Sequence, residues 1–237
     1  MTTELYALCI DAADPEGLAR FWSAVLGREI ADDGTTLLPP DDVAFRIRFA
    51  PTDAPKTVPN QMHFDLTSAT LDEQQATVDR ALALGGRHLD VGQLPEEEHV
   101  VLADPEGNEF CVIEPGNGFL AGTGLIGALS SDGSQSCGYF WSRALDWPLV
   151  WDQDEETAIQ SPAGGTKISW GGPPLAPKAG KYRLHLDLVP SAGSDQASEV
   201  DRLVGLGATR VDIGQGEVDR VVLADPDGHE FCVLSAR

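Results

Sequence analysis

The strongest constraint on this chain is that it contains itself twice. The segment VVLADPEGNEFCVIE (100–114) returns as VVLADPDGHEFCVLS (221–235), and RALALGGRHLDVGQ (80–93) returns as RLVGLGATRVDIGQ (202–215). HFDL (63–66) returns as HLDL (185–188), and FWSAVLG (21–27) as FWSRALD (140–146). The offset drifts only from 119 to 122 residues, so the 237-residue chain is a tandem of two related units. At about 115 residues, each unit is long enough to bury an ordinary core. The joint falls at the turn-rich Pro115-Gly116-Asn117-Gly118, which sets expected domains at 1–117 and 118–237.

Within the first unit the hydrophobic pattern runs through one plan twice. Leu5 to Ile10 is an apolar run that reads as a buried strand. Asp14-Pro15 is a helix start, with Asp as N-cap and Pro in the first turn, and Leu18, Phe21, Val25 and Leu26 share one face up to Gly27. Strands are expected at 28–32, 35–39 and 43–50, the last alternating Phe45, Ile47 and Phe49 with Arg46 and Arg48. The plan restarts with a strand at 61–66 and a capping box at Thr70-Leu-Asp-Glu73. The helix that follows carries Leu71, Val78 and Leu82, and strands are expected near 87–92, 99–103 and 109–114. Asp104-Pro105-Glu106-Gly107 joins the last two as a tight turn. The chain therefore holds four β-α-β-β-β modules. Helices covering one face of mostly antiparallel strands place it in the α+β class, with the other sheet face free to curve around a cavity.

Charge excludes several partners. Asp and Glu outnumber Lys and Arg by 38 to 16, a net charge of −22, which repels nucleic-acid backbones and anionic lipid surfaces. No apolar run is long enough to span a bilayer, and MTTELYALCID lacks the basic start of a secretory signal. Cys9, Cys111, Cys137 and Cys232 form no CxxC pair and read as free thiols, so a cytoplasmic location is expected. Gly122-Thr-Gly-Leu-Ile-Gly127 matches G-x-G-x-x-G, but Leu125–Leu129 reads as a strand after the glycines, where a dinucleotide site needs a helix.

Asp14…Phe21-Trp22…Leu26-Gly27, His63-Phe-Asp65-Leu and Asp104-Pro-Glu-Gly-Asn-Glu-Phe-Cys111 resemble the vicinal oxygen chelate superfamily of glyoxalase I, bleomycin-resistance proteins and extradiol dioxygenases. The resemblance spans nearly all of both halves, although the start of the second is degenerate. It implies two tandem glyoxalase-like domains, each built of two βαβββ modules forming a curved mixed sheet around a cavity. This fold hosts isomerases, dioxygenases, transferases and drug-sequestering proteins, so function rests on the site positions.

In metal-dependent relatives the first and last strands of each module supply ligands. Carried over by residue, the resemblance places those positions at Ala7, at Arg46 to Arg48, at His63 and at Cys111. In the second half they fall on Leu125–Leu129, on Lys167 and Ser169, on His185 and on Cys232. One His and one Cys per half fall short of the three protein ligands of a catalytic zinc site. Asp65 and Asp187 share a strand face with their histidines, but side chains two apart root roughly 6–7 Å from each other. No cofactor is therefore expected. Were a metal held, His63, Cys111, His185 and Cys232 would be its ligands, and the thiolates would select a zinc-like ion.

The expected ligand pocket comprises Arg46, Arg48, His63, Asp65, Cys111, Trp151, Lys167, His185, Asp187 and Cys232, with no catalytic residue assigned. Asp65 and Asp187 have Arg48 and Lys167, or their own histidines, as candidate partners. If the basic residues face the cavities, a carboxylated or phenolate ligand suits the interior. The first functional reading is a metal-free binding protein for an antibiotic or metabolite, similar to bleomycin-resistance proteins. The alternative is a lyase, isomerase or dioxygenase with an atypical His/Cys site, and a regulatory module without ligand is a third. A small molecule is the expected partner, nucleic acid and membrane are not, and homodimerisation stays open.

Overall fold

The computed structural model describes residues 2–94, 96–175, 177, 178, 180–214, 216 and 218–235. The first module contains β1 (Thr3–Ala12), α1 (Pro15–Leu26), β2 (Thr36–Leu37) and β3 (Arg46–Pro51). The second contains β4 (Met62–Leu66), α2 (Leu71–Ala83), β5 (Arg87–His88), β6 (Val100–Ala103) and β7 (Glu109–Val112). The third runs β8 (Ile126–Ser131), α3 (Gln135–Leu145), β9 (Leu149–Gln153), β10 (Glu156–Ser161) and β11 (Gly164–Trp170). The fourth runs β12 (Leu184–Pro190), α4 (Gln196–Leu206), β13 (Thr209–Arg210), β14 (Arg220–Ala224) and β15 (Glu230–Leu234).

Local chemistry sets the helix ends. The Asp14 carboxylate accepts the Gly17 N–H at 2.9 Å, Pro15 needs no partner in the first turn, and Gly27 closes α1 in the left-handed region at φ 66°. In α2, Thr70 accepts the Glu73 N–H at 3.1 Å, while Glu73 reaches back to the Ala69 N–H rather than to Thr70. The inward face of α2 differs from the Leu71, Val78, Leu82 stripe: Gln74, Thr77, Val78 and Ala81 are buried and Leu71 is 65% exposed. The polar face is tolerated because the Gln74 amide donates to the carbonyls of Glu98 and Val112. The strand expected at 28–32 shrinks to a bridge between Ile30 and Leu37, because Asp33 gathers the N–H groups of Thr35 and Thr36 into a turn.

Among the described residues the strands form two sheets, ordered β13-β14-β15-β12-β1-β3-β2 and β5-β6-β7-β4-β8-β11-β10-β9. Each sheet combines two modules, and the modules that share a sheet come from different halves of the chain. β1 lies antiparallel to β12, joining the first and fourth modules, and β4 lies antiparallel to β8, joining the second and third. Modules adjacent in sequence are instead held together by the apolar core. Trp22 of α1 sits edge-on to Phe64 and Phe110 of the second module, with ring centroids 5.0 and 4.9 Å apart, and Trp141 meets Phe231 in the same way at 4.9 Å. The repeated Asp-Pro turns complete this joint. Trp22 Nε1 donates to Asp104 at 3.1 Å and Trp141 Nε1 to Asp225 at 3.0 Å, so the two most conspicuous repeat motifs satisfy one another in the core. No helix among the described residues is long and apolar enough to cross a membrane.

Candidate functional site

Strand alternation decides which residues face away from the helices. On β1, Leu8, Ile10 and Ala12 enter the helix-covered core, so Ala7, Cys9 and Asp11 point to the opposite face. Register then carries that face across the first sheet: Cys9 stands beside His185 and Arg48, Ala7 beside Asp187 and Arg46, and Asp187 beside Cys232. The second sheet repeats the arrangement. Ser130 stands beside His63 and Ser169, Ala128 beside Asp65 and Lys167, and Asp65 beside Cys111. The ten candidate residues therefore divide into two sets, each drawn from both halves of the chain.

In the first set His185, Asp187 and Cys232 are buried and Arg46 and Arg48 are half-buried. Arg48 approaches Asp187 at 2.8 Å, outside hydrogen-bonding direction, and its guanidinium also donates to Cys9 Sγ at 3.7 Å. His185 Nε2 lies 3.5 Å from Asp187, and neither ring nitrogen of His185 has a hydrogen-bond partner among the described residues. Burial works against charge on His185, but Cys9, Asp187 and Cys232 outweigh it and hold its pKa well above the ordinary value. Burial likewise opposes ionisation of Asp187, yet His185, Arg48 and Arg220 keep its pKa below the usual carboxylate value. Arg46 lies over the Tyr6 ring at 4.6 Å. Neither arginine is thus available beside His63 and Cys111. Arg48, expected beside a ligand, lies against Asp187 and Cys9 on the first sheet.

The second set is open. A cavity of about 400 Å³ is bordered by His63 and Trp151 of this set and by Ser130, Ser169, Phe119 and Glu156, while Asp65, Cys111 and Lys167 lie outside its wall. The His63 side chain is 35% exposed, whereas that of His185 is 8% exposed. His63 Nε2 is 3.4 Å from Asp65, whose other oxygen accepts the Ser130 hydroxyl. Burial disfavours the imidazolium, but Asp65 and Cys111 outweigh it and raise the His63 pKa to about 10. Burial pushes the Cys111 thiol up, with His63 opposing. Asp65 converges on its histidine despite the two-residue spacing: ligand atoms of His63, Asp65 and Cys111 all lie within 4.8 Å of one another. Lys167 donates to the Phe119 carbonyl and sits over that ring at 4.8 Å, so it braces the cavity wall. Trp151 lines the cavity, while Trp170 is almost wholly buried and contributes at its edge.

Sequence reasoning missed Phe119, Ser130, Asp132 and Glu156, which also border the cavity, and noted Ser169 only as a failed ligand position. Ser130 and Ser169 pair with each other as Cys9 and Arg48 do on the other sheet, and the sequence carries this only through the repeat offset. Phe119 was not, because it arrives from the linker after β7 rather than from a patterned strand.

Residues 7–113 and 128–234 each match the family described as glyoxalase-like domain. Glyoxalase I from Zea mays superposes with a TM-score of 0.64 at 11% identity, covering 99% of this chain and 92% of that one. A putative dioxygenase from Bacillus subtilis subsp. subtilis str. 168 superposes with a TM-score of 0.61 at 13% identity, covering 98% and 85%. At these identities the likeness is one of fold. No curated protein matches the chain.

Proposed function

Because the chain belongs to the glyoxalase-like domain family and carries that domain twice, we propose that it is a small-molecule binding protein whose ligand sits over the second sheet. One observation carries this reading: Ser169 occupies the register position that Arg48 fills on the first sheet, and the cavity lies where the large side chain is missing. The walls describe the ligand. Trp151 and Phe119, with ring centroids 6.2 Å apart, offer a face and an edge to a planar group. The protonated His63 at the floor donates to an acceptor such as a carbonyl or phenolate oxygen. Asp132 and Glu156 at the border favour a ligand that also carries a cationic or hydrogen-bond-donating group. An antibiotic or metabolite of this type, held as in bleomycin-resistance proteins, is the proposed ligand. A thermal-shift screen of planar aromatic amines and acids tests it: ligands that raise Tm in the native protein lose their effect in Ser169→Arg. Stabilisation that persists unchanged in that variant rejects the site.

The convergence of His63, Asp65 and Cys111 favours a second reading, a lyase, isomerase or dioxygenase working with a zinc-like ion. The donor set fits such an ion in number and softness, whereas the guanidinium of Arg48 already holds the cation's place on the first sheet. A bound ion would supply Lewis acidity. His63, Asp65 and Cys111 would hold it, Ser130 would orient Asp65, and Trp151 would shield the ligand from water. Metal analysis of untagged native protein beside His63→Gln/Cys111→Ser tests the second reading: it expects one equivalent that the variant loses, and equal metal content in both proteins, or none in either after titration, removes it.

A further inference from the structure

A different cluster lies where α3 meets the second Asp-Pro turn, near the cavity: the void beside Asp225 and His229 shares Gln61, Ser131 and Trp170 with the cavity wall. Asp225 stands at its centre. Its Oδ1 accepts the backbone N–H groups of Asp227 and His229 at 3.0 and 2.9 Å, which fixes the carboxylate plane. Its Oδ2 accepts Trp141 Nε1 and the Cys137 thiol, both at 3.0 Å, and lies 3.4 Å from His229 Nδ1. Ligand atoms of Cys137, Asp225 and His229 all fall within 4.8 Å of one another.

The first half contains the control. Asp104 holds the equivalent turn, accepting backbone N–H groups from Glu106 and Asn108 at 3.0 and 2.9 Å. There the side-chain partners are Trp22 and Asn108, and the helix position matching Cys137 is the buried Leu18. Leu18 and Asn108 thus suffice for the joint between helix and turn. In the second half both positions change together, Leu18 to Cys137 and Asn108 to His229, and both become metal-ligand types around the same aspartate. The turn residue also has a packing role, since His229 sits edge-on to Tyr182 at 5.1 Å where the first half pairs Asn60 with Asn108; the Cys137 thiol, by contrast, is directed at Asp225 at 3.0 Å. A small void of about 10 Å³ is bordered by Asp225 and His229, with Trp141, Trp170 and His185 also on its wall and Cys137 outside it.

We propose that Cys137, Asp225 and His229 hold a zinc-like divalent cation, with a water molecule as fourth ligand, at a site distinct from the wall of the ligand cavity. Cysteine, carboxylate and imidazole are zinc's protein ligands, and a carboxylate pre-oriented by backbone N–H groups is the outer-shell support such sites use. Asp227 adds negative charge beside the site while capping α3 through Ser134, whose N–H and hydroxyl it accepts at 2.6 and 2.8 Å. The cation would staple the start of α3 in the third module to the turn of the fourth. His229, with a side chain 13% exposed, gives the path of entry.

The test uses full-length untagged protein, stripped by chelator and titrated with Zn²⁺ and with Co²⁺. One equivalent is expected to remain bound in His63→Gln/Cys111→Ser, and the Co²⁺ form should show a thiolate charge-transfer band. Cys137→Leu/His229→Asn installs the first half's residues around Asp225, so it should fold and lose that equivalent and the band. The single variant His229→Asn should weaken binding at least tenfold, which provides a readout should the double variant fail to fold. Absence of a bound equivalent in the native protein, or its retention in the variants at Cys137 and His229, overturns the proposal. Loss in the His63/Cys111 variant alone assigns the metal to the cavity floor and equally overturns it.

Discussion

The open faces of the two sheets are the same design with different outcomes. Each places histidine, aspartate and cysteine on adjacent strands, as His185, Asp187 and Cys232 on one and His63, Asp65 and Cys111 on the other. Each places a cation two strands beyond the histidine and over an aromatic ring, Arg46 over Tyr6 and Lys167 over Phe119. They part at Cys9 and Arg48 against Ser130 and Ser169. Where arginine stands, an ion pair with Asp187 fills the face and buries the histidine; where serine stands, about 400 Å³ is open above it. A repeat that evolves by duplication can thus keep one copy of a site as core and the other as pocket through a few side-chain volumes, with the backbone plan unchanged.

The comparison is most easily broken at Asp187. Asp187→Ala leaves the Arg48 guanidinium without its partner, and removing one member of a buried pair costs about 3–5 kcal/mol, measurable by urea unfolding. Asp65→Ala should cost clearly less, because the second sheet's open face holds its aspartate against a serine and a half-exposed histidine. Equal losses at both positions would contradict the distinction between filled and open faces. Next in size, Trp151→Ala should weaken a ligand found by thermal shift about tenfold, roughly 1.4 kcal/mol, with unfolding stability little changed because the side chain is exposed. The smallest effect concerns acid. Asp187 has its pKa held below the ordinary 3.8, so its stabilisation is complete above that value and is lost as pH falls through the lower folded-state value. Asp187→Asn should therefore be less stable than the native protein at neutral pH and converge with it below about pH 3.8; parallel curves across that range would contradict the assignment.

Much of the scaffold was legible because it repeats. The Asp14 cap, the Gly27 stop, the Thr70 capping residue and the Asp-Pro turns all stand where local chemistry requires them. The face of α2 was not legible: Gln74 lies inward because two strand-end carbonyls wait for its amide, a tertiary fact that periodicity does not carry. The grouping of the site residues was hidden for the same kind of reason. Arg48 and His63 are near in sequence but lie on different sheets, since β1 pairs with β12 and β4 with β8. The residue types of the site were readable from the repeat; which of them share a cavity depended on how the modules pair.

If Ser169 leaves one face able to bind a ligand while Arg48 closes the other, occupancy follows the serine. A fluorescence titration with 1-anilinonaphthalene-8-sulfonate, an aromatic probe whose acidic group suits His63, measures this directly. One dye per native chain is expected, displaced by ligands from the thermal-shift screen, and none in a folded Ser169→Arg variant. Two equivalent dyes per chain, or one that survives Ser169→Arg unchanged, would contradict it.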